Sequence, residues 1–479
     1  MNTKEYLTSE QVGQVHDKSL EILQNVGILV RNQKCLEIFS KRGCLIEDNV
    51  VKFPQKIVEE TISQFTPKFT FFARDPEYDV TIPDDGPLMV TASSAPNIID
   101  PENGEERPAV SKDIANIAHL IQQLEGYDIF SIPVLANDAT EDQFSLFRFY
   151  PALKNCSKPI RSNTPTILDL KKVLEMAELI AGGAEAYQKR PFITHHYCPI
   201  VAPLTMDFES TEAVIYLLEK KLPTYITVVQ NAGVTTPLSL LSCLTVGNAE
   251  FLAYAVLAQT IHPGAPLIYA VLATVADMRN GDYAPGAVET AMLQVAHSQM
   301  ARFYNVPSGG YIGLTGSHNN DAQSGYETGI SVTHAVDGGI DMMNAGGLLS
   351  SLMVFDYAKA VIDNEISLMV KKTKKGFEFG EDKFLIDLIA EGSHGGFFLD
   401  KSHTVKNMRD VALLPKIAVR GIKDKWMKKE SLTTHDRALN EAVRLLSRPS
   451  KTAFDAKMDQ KIRARFKDLI PEDVEPESF

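Results

Sequence analysis

Eight short strand-like runs, recurring at near-regular intervals, constrain what this chain can fold into more than any other feature. They are Met89–Ser94, Asp128–Ile132, Ile160–Thr164, Phe192–Tyr197, Thr224–Gln230, Leu267–Leu272, Gly309–Leu314 and Asp341–Ala345. Their starts lie 39, 32, 32, 32, 43, 42 and 32 residues apart. The gaps read as helices. In Ser111–Leu124 the apolar Ile114, Ile117, Ala118, Ile121 and Leu124 form one stripe behind a Ser111 cap, and Thr140 with Gln143 suggests a capping box before Phe144. Thr236-Pro237 reads as a cap followed by a first-turn proline, and Ser350–Val370 as a last long helix. Strands alternating with helices imply a parallel sheet, and a repeat of this length fits an eight-stranded barrel of about 250 residues. The expected fold is therefore α/β: a (β/α)8 TIM barrel over residues 86–371. An N-terminal α/β extension over 1–85 and a helical C-terminal segment over 372–479 would flank it.

Charge and cysteine usage narrow the function classes. A net charge of -13 argues against non-specific nucleic-acid binding. Five scattered cysteines without a CxxC pair fit a reducing, cytoplasmic setting. MNTKEYLTSEQ has no apolar stretch of the secretory kind. Between Pro237 and Met278 the charged residues are only Glu250 and Asp277, but Gly247-Asn248, His262-Pro263-Gly264 and Pro266 cut the stretch into pieces too short to cross a bilayer. A buried helix followed by a buried strand is expected there. Residues 401–470 carry eighteen Lys/Arg, among them Lys423, Lys425, Lys428, Arg463 and Arg465, against eight Asp/Glu. So basic a segment on an otherwise acidic chain marks either a solvated face or a partner surface.

In such a fold, chemistry gathers where the strands end. Those positions hold Ser93-Ser94, Asn163, His195-His196-Tyr197, Gln230-Asn231, Asp277-Met278-Arg279, Thr315–Asp321 and Asn344. Only Asp277 and Asp321 are acidic, which weakens a two-carboxylate hydrolase. Adjacent strand residues face opposite sides, so at most one of His195 and His196 points inward. No HxH, HExxH or Cys/His cluster supplies further ligands, and no metal site is expected. Ser308-Gly309-Gly310 and Gly346-Gly347 match no phosphate-binding motif. Tyr197, Tyr269, Tyr283, Tyr311, Tyr326 and Phe355 are core residues or, if several ring one pocket, a cage for a quaternary ammonium.

The run Pro266–Glu327, PLIYAVLATVADMRNGDYAPGAVETAMLQVAHSQMARFYNVPSGGYIGLTGSHNNDAQSGYE, resembles the trimethylamine methyltransferase superfamily. The segment Gly392–Asp410, GSHGGFFLDKSHTVKNMRD, resembles that family's C-terminal signature. The resemblance implies a barrel that moves a methyl group from an amine to Co(I) of a separate, cognate corrinoid protein. The archaeal trimethylamine branch carries pyrrolysine in the loop matching Thr315–Asp321, where this sequence has only ordinary residues. The chain thus looks like the branch without pyrrolysine, whose best-known members demethylate glycine betaine and related quaternary amines. On this reading His195 or His196, Tyr197, Gln230, Tyr269, Arg279, Tyr311, Asn344 and Phe355 bind the substrate. His318, Asp321 and Gln323 line the approach of the corrinoid, which the partner carries. The basic C-terminal segment steers that partner, and a homo-oligomer is expected. Proline betaine or carnitine as substrate, a metal-dependent barrel hydrolase, and a catalytically silent betaine binder stay open.

Overall fold

The computed structural model describes residues 3–392, 394–428, 431–450 and 454–477. All eight expected strands are present, each shorter than its apolar run: β1 Leu88–Val90, β2 Phe130–Ser131, β3 Ile160–Ser162, β4 Ile193–Tyr197, β5 Thr224–Ile226, β6 Tyr269–Val271, β7 Ser308–Gly310 and β8 Met342–Asn344. They pair in parallel as two four-stranded sheets, β5-β4-β3-β2 and β6-β7-β8-β1. Register is set by pairs such as Ser162 with His195, His195 with Thr224, Gly310 with Met343 and Asn344 with Val90. Isolated parallel bridges, Val90 to Ile129 and Val228 to Val271, link the outer edges of the two sheets.

A helix follows each strand: α1 Ser111–Gln123, α2 Phe144–Asn155, α3 Ile167–Ala181, α4 Glu209–Glu219, α5 Leu240–Ile261, α6 Val288–Phe303, α7 Ala322–Asp337 and α8 Tyr357–Lys375. Their starts differ in places from the sequence reading. Ser111 lies inside α1, not before it; Val110 is the cap residue, and its N–H is taken by Asp113 at 2.8 Å. Helix α5 begins after a Ser239 cap, beyond Thr236-Pro237. It also runs unbroken through Gly247-Asn248 for 22 residues, so the expected interruption does not occur. Alone it is long and apolar enough to cross a membrane, yet 78% of its apolar window is buried inside the fold. Residues 350–353 form a turn, and Asp356 caps α8 through the N–H of Lys359 at 2.7 Å.

Apolar side chains from both sheets (Leu88, Val90, Ile129, Ile268, Ala270, Met342) form one cluster with Phe69, Phe71 and Ile82. The last three belong to an antiparallel hairpin, Phe69–Phe71 with Val80–Ile82, which leads into β1. The space between the sheets is thus filled with hydrocarbon towards the strands' N-terminal ends. The flanking segments pack outside. Helix Ser9–Asn25 meets α5, where Asn248 Nδ2 donates to Ser19 Oγ at 2.8 Å. Near the C-terminus, Thr434–Leu446 docks on α1, with Gln123 Nε2 donating to Leu445 O at 3.0 Å. Glu365 of α8 accepts the N–H groups of Lys416, Ile417 and Ala418 at 2.8, 2.8 and 3.0 Å.

Candidate functional site

Towards the C-terminal ends of the strands the lining changes from hydrocarbon to polar and aromatic. Arg161, central in β3, sends its side chain between the sheets, where it meets groups from β2, β5 and the exit of β7. Its Nε and Nη2 donate to Ser131 Oγ at 3.4 and 3.3 Å. The guanidinium carbon lies 4.8 Å from the Tyr225 ring centre and 5.8 Å from that of Tyr311, within cation–π range. His196 of β4 completes the group, 5.1 Å from Tyr225 and 6.0 Å from Tyr311, with Nε2 2.9 Å from Thr227 Oγ1. Asn344 at the end of β8 donates to Tyr225 OH at 3.1 Å and to Gly310 O at 3.0 Å. Tyr311 OH lies 3.1 Å from Ser93 Oγ, beyond β1. Ser93, His196, Cys198 and Tyr283 are partly exposed, so the chamber opens to solvent on this side.

Two backbone features hold the aromatic wall. Gln294 of α6 donates to Val271 O at 2.9 Å and Tyr311 O at 3.4 Å, pinning the exits of β6 and β7. Gly310 must lack a side chain, because a Cβ there would stand 2.7 Å from Val271 O. Beyond it, Thr315 Oγ1 and Gly316 N donate to Glu327 Oε2 at 2.5 and 2.9 Å, and Gln323 Nε2 to Glu327 Oε1 at 3.0 Å.

Arg161 brings a positive charge into the chamber. Burial, then Arg161, holds the His196 imidazole well below its ordinary range, so it is neutral. Burial pushes the Tyr225 phenol up to about 12 and the Cys198 thiol up to about 11 against the pull of Arg161. Tyr311 is raised by burial likewise. Among the described residues, Arg161 is the one cation set among these neutral hydroxyl, thiol, amide and imidazole groups. Its Nη1 and Asn344 Oδ1 have no hydrogen-bond partner among the described residues.

The description "Trimethylamine methyltransferase (MTTB)" fits residues 1–469 as a family model. A glycine betaine methyltransferase of Desulfitobacterium hafniense (strain Y51) is 30% identical over 460 residues, covering 96% of this chain and 95% of that one. The chain belongs to the trimethylamine methyltransferase family. Other relatives are the trimethylamine methyltransferases MttB of Desulfitobacterium hafniense (strain DSM 10664 / DCB-2), 27% identical with 97% and 93% coverage, and of Methanosarcina thermophila, 26% identical with 88% of both chains covered.

Of the residues that the sequence nominates in this family member, the structure brings together His196, Tyr311 and Asn344. The others lie elsewhere. His195 faces α2, 6.2 Å from Phe149; neither ring nitrogen has a partner, and burial pulls it down to about 3. Tyr197 OH bonds Thr164 Oγ1 at 2.7 Å. Tyr269 OH donates to Asn248 Oδ1 of α5 at 2.9 Å, and Gln230 donates to Glu250 of α5. Phe355 packs on Tyr357, ring centres 5.4 Å apart. Arg279 is at the surface, its side chain 89% exposed and paired with Asp277. In the loop after β7, Asp321 caps α7 through Gln323 N at 2.9 Å and Ser324 N at 3.2 Å, and exposed His318 lies 2.9 Å from Ser350 Oγ. Sequence reasoning missed Arg161 and Tyr225. The signal for Arg161 was a charged residue inside the run IRSNT.

Proposed function

We propose that this protein transfers a methyl group from a quaternary amine, glycine betaine in the first instance, to the cobalt of a corrinoid carried by a separate protein. Carnitine and proline betaine share the cationic centre and remain within the proposal. We also read the eight strands as one (β/α)8 barrel, since the bridges Val90–Ile129 and Val228–Val271 join the sheets at both edges. The chamber then lies at the mouth where such barrels place their chemistry.

The observation that carries the functional reading is an aromatic chamber in which, among the described residues, no carboxylate pairs with Arg161 and the His196 imidazole is neutral. A quaternary nitrogen leaves as a neutral tertiary amine and needs no proton, so no general acid or base is required. When bound, the corrinoid supplies the nucleophilic Co(I) that accepts the methyl group. The rim suits such a flat, partly apolar group: Val201, Val234, Leu238, Met278 and Met353, in the loops after β4, β5, β6 and β8, are each more than half exposed. They would meet the macrocycle and its carrier, with His318, Asp321 and Gln323 beside them. The work of the chain itself is to orient the N–CH3 bond towards the mouth and keep water out. Tyr311 and His196 form the wall that does so. Basic residues in 401–470, such as Lys423 and Lys425, would steer an acidic carrier. Self-association is proposed as well, on the exposed apolar side chains of residues 376–428.

The test is a panel of quaternary amines incubated with the purified protein and free cob(I)alamin, followed by visible spectroscopy. Glycine betaine should drive cobalamin methylation, and Tyr311→Ala should raise its apparent KM roughly tenfold through loss of the aromatic wall. No spectral change with any quaternary amine would overturn the reading.

A further inference from the structure

The aromatic chamber already contains a cation of its own. Arg161 is fully buried, and no carboxylate among the described residues forms an ion pair with it. Arginine stays charged in a protein, and a buried charge without an opposite partner is costly. The surroundings return only part of that cost. Ser131 Oγ accepts two long bonds, at 3.4 and 3.3 Å, and Tyr225 and Tyr311 offer their ring faces. Among the described residues Nη1 finds no acceptor, and Asn344 Oδ1 finds no donor. Groups that could have supplied negative charge are held neutral: the phenols of Tyr225 and Tyr311 and the thiol of Cys198 all resist ionisation through burial.

A second cation entering such a chamber alone would be repelled. A ligand carrying an anion beside its cation would be drawn in, because its carboxylate cancels the charge of Arg161 and takes up the idle N–H of Nη1. From these observations we propose that Arg161 is the carboxylate anchor of the substrate site, and that the protein acts on carboxylated quaternary amines rather than on bare or hydroxylated ones. This rests on the reading of the mouth as the methyl-donor site. The planar guanidinium fork suits a carboxylate better than a point charge does. Seating the carboxylate deep, on β3, leaves the N-methyl groups facing the mouth, the direction from which the partner must arrive. Access runs past Tyr311, whose hydroxyl meets the half-buried Ser93 at 3.1 Å and also Arg161.

The test is calorimetric titration of the intact protein with glycine betaine, choline and glycine betaine methyl ester. All three keep the trimethylammonium group, and only the first has a carboxylate. Glycine betaine should bind roughly 100-fold more tightly than the other two, the scale of a hydrogen bond to a charged group. Arg161→Gln should bring the three affinities together. Because Arg161 is buried, Arg161→Lys, which keeps the charge and loses the fork, serves as the second variant; it should narrow the preference for glycine betaine, and an unchanged preference would overturn the anchor. Equal affinity for choline or the ester, or no binding of glycine betaine, would overturn the anchor. Methyl transfer from choline and glycine betaine at equal efficiency would do so too while leaving the methyltransferase reading intact. Carboxylate-selective binding without cobalamin methylation would uphold the anchor and remove that reading.

Discussion

Glu250 shows how much one side chain's surroundings decide. It sits fully buried on α5, accepting from Leu204 N at 2.8 Å and from the amide of Gln230. Burial dominates over those two bonds and moves its carboxyl from 4.5 to about 7. The folded state therefore holds this proton more tightly than the unfolded chain does. Stability from this source is complete below about pH 4.5 and is lost as pH rises through about 7, amounting to about 3 kcal/mol. Glu250→Gln keeps the acceptor for Leu204 and never ionises. The melting temperature of the wild type should thus fall between pH 5 and 8 by a few degrees more than that of the variant, and parallel profiles would refute the assignment. Residue identity alone could not announce this role, because Gln230 and Glu250 meet only through the packing of α5 on β5. The same holds for the two histidines. That just one of His195 and His196 could face inward followed from strand geometry, but which one depended on register with Thr224 and Tyr225. Tyr197 and Tyr269 face outward for the same reason of parity, which their apolar runs do not reveal, whereas Phe355 lies outside the eight strands, on Val354–Asp356 just before α8. Arg161 was the exception, a charge within a strand run that could have been followed.

At the scale of elements, the alternation of strand and helix was readable because apolar runs and amphipathic stripes are local properties. Boundaries were less so. Gly247-Asn248 resembles a break, yet in α5 the missing Cβ lets the helix approach Gln230 Oε1 and His297 Nε2, which a methyl would meet at 2.8 and 3.2 Å. Glycine there serves packing, which a single sequence cannot distinguish from a turn. Two other glycines make that difference measurable. Gly310→Ala on β7 would place Cβ 2.7 Å from the backbone oxygen of Val271, which cannot yield without breaking the β6–β7 pairing. It should destabilise the protein by about 2–3 kcal/mol, and it should raise the KM for substrate because Tyr311 is the next residue. Gly325→Ala on the exposed side of α7 meets nothing within 4 Å and should instead stabilise by up to about 1 kcal/mol. Thermal melts of the two variants check both signs; equal shifts would mean that the β7 contact is softer than its geometry implies.

The whole molecule divides unevenly between an acidic body and a basic, poorly covered C-terminal segment. Helix Thr434–Leu446 is integrated, with Ala438, Ala442, Leu445 and Leu446 buried. The stretch before it is not: Phe377, Phe379, Leu399 and Val411 are 100, 90, 69 and 70% exposed. A chain of this composition has ample core to hide four such side chains, and a monomer rarely leaves so many large apolar groups together in water. Residues 401–470 carry an excess of ten positive charges, whereas the rest of the chain carries an excess of twenty-three negative ones. On the proposed self-association, a second copy of the chain would supply the acidic partner for this apolar, basic segment, and burying one phenylalanine removes roughly 150–250 Å² from water. Light scattering on the purified protein should accordingly give at least twice the 52.9 kDa of one chain. Because the Phe377 and Phe379 side chains are almost wholly exposed, replacing both with serine should shift the mass towards 52.9 kDa and leave the circular dichroism spectrum unchanged. A wild-type mass of a single chain at micromolar concentration would show that the segment waits for a different partner, and its basic charge would then point back to the corrinoid carrier.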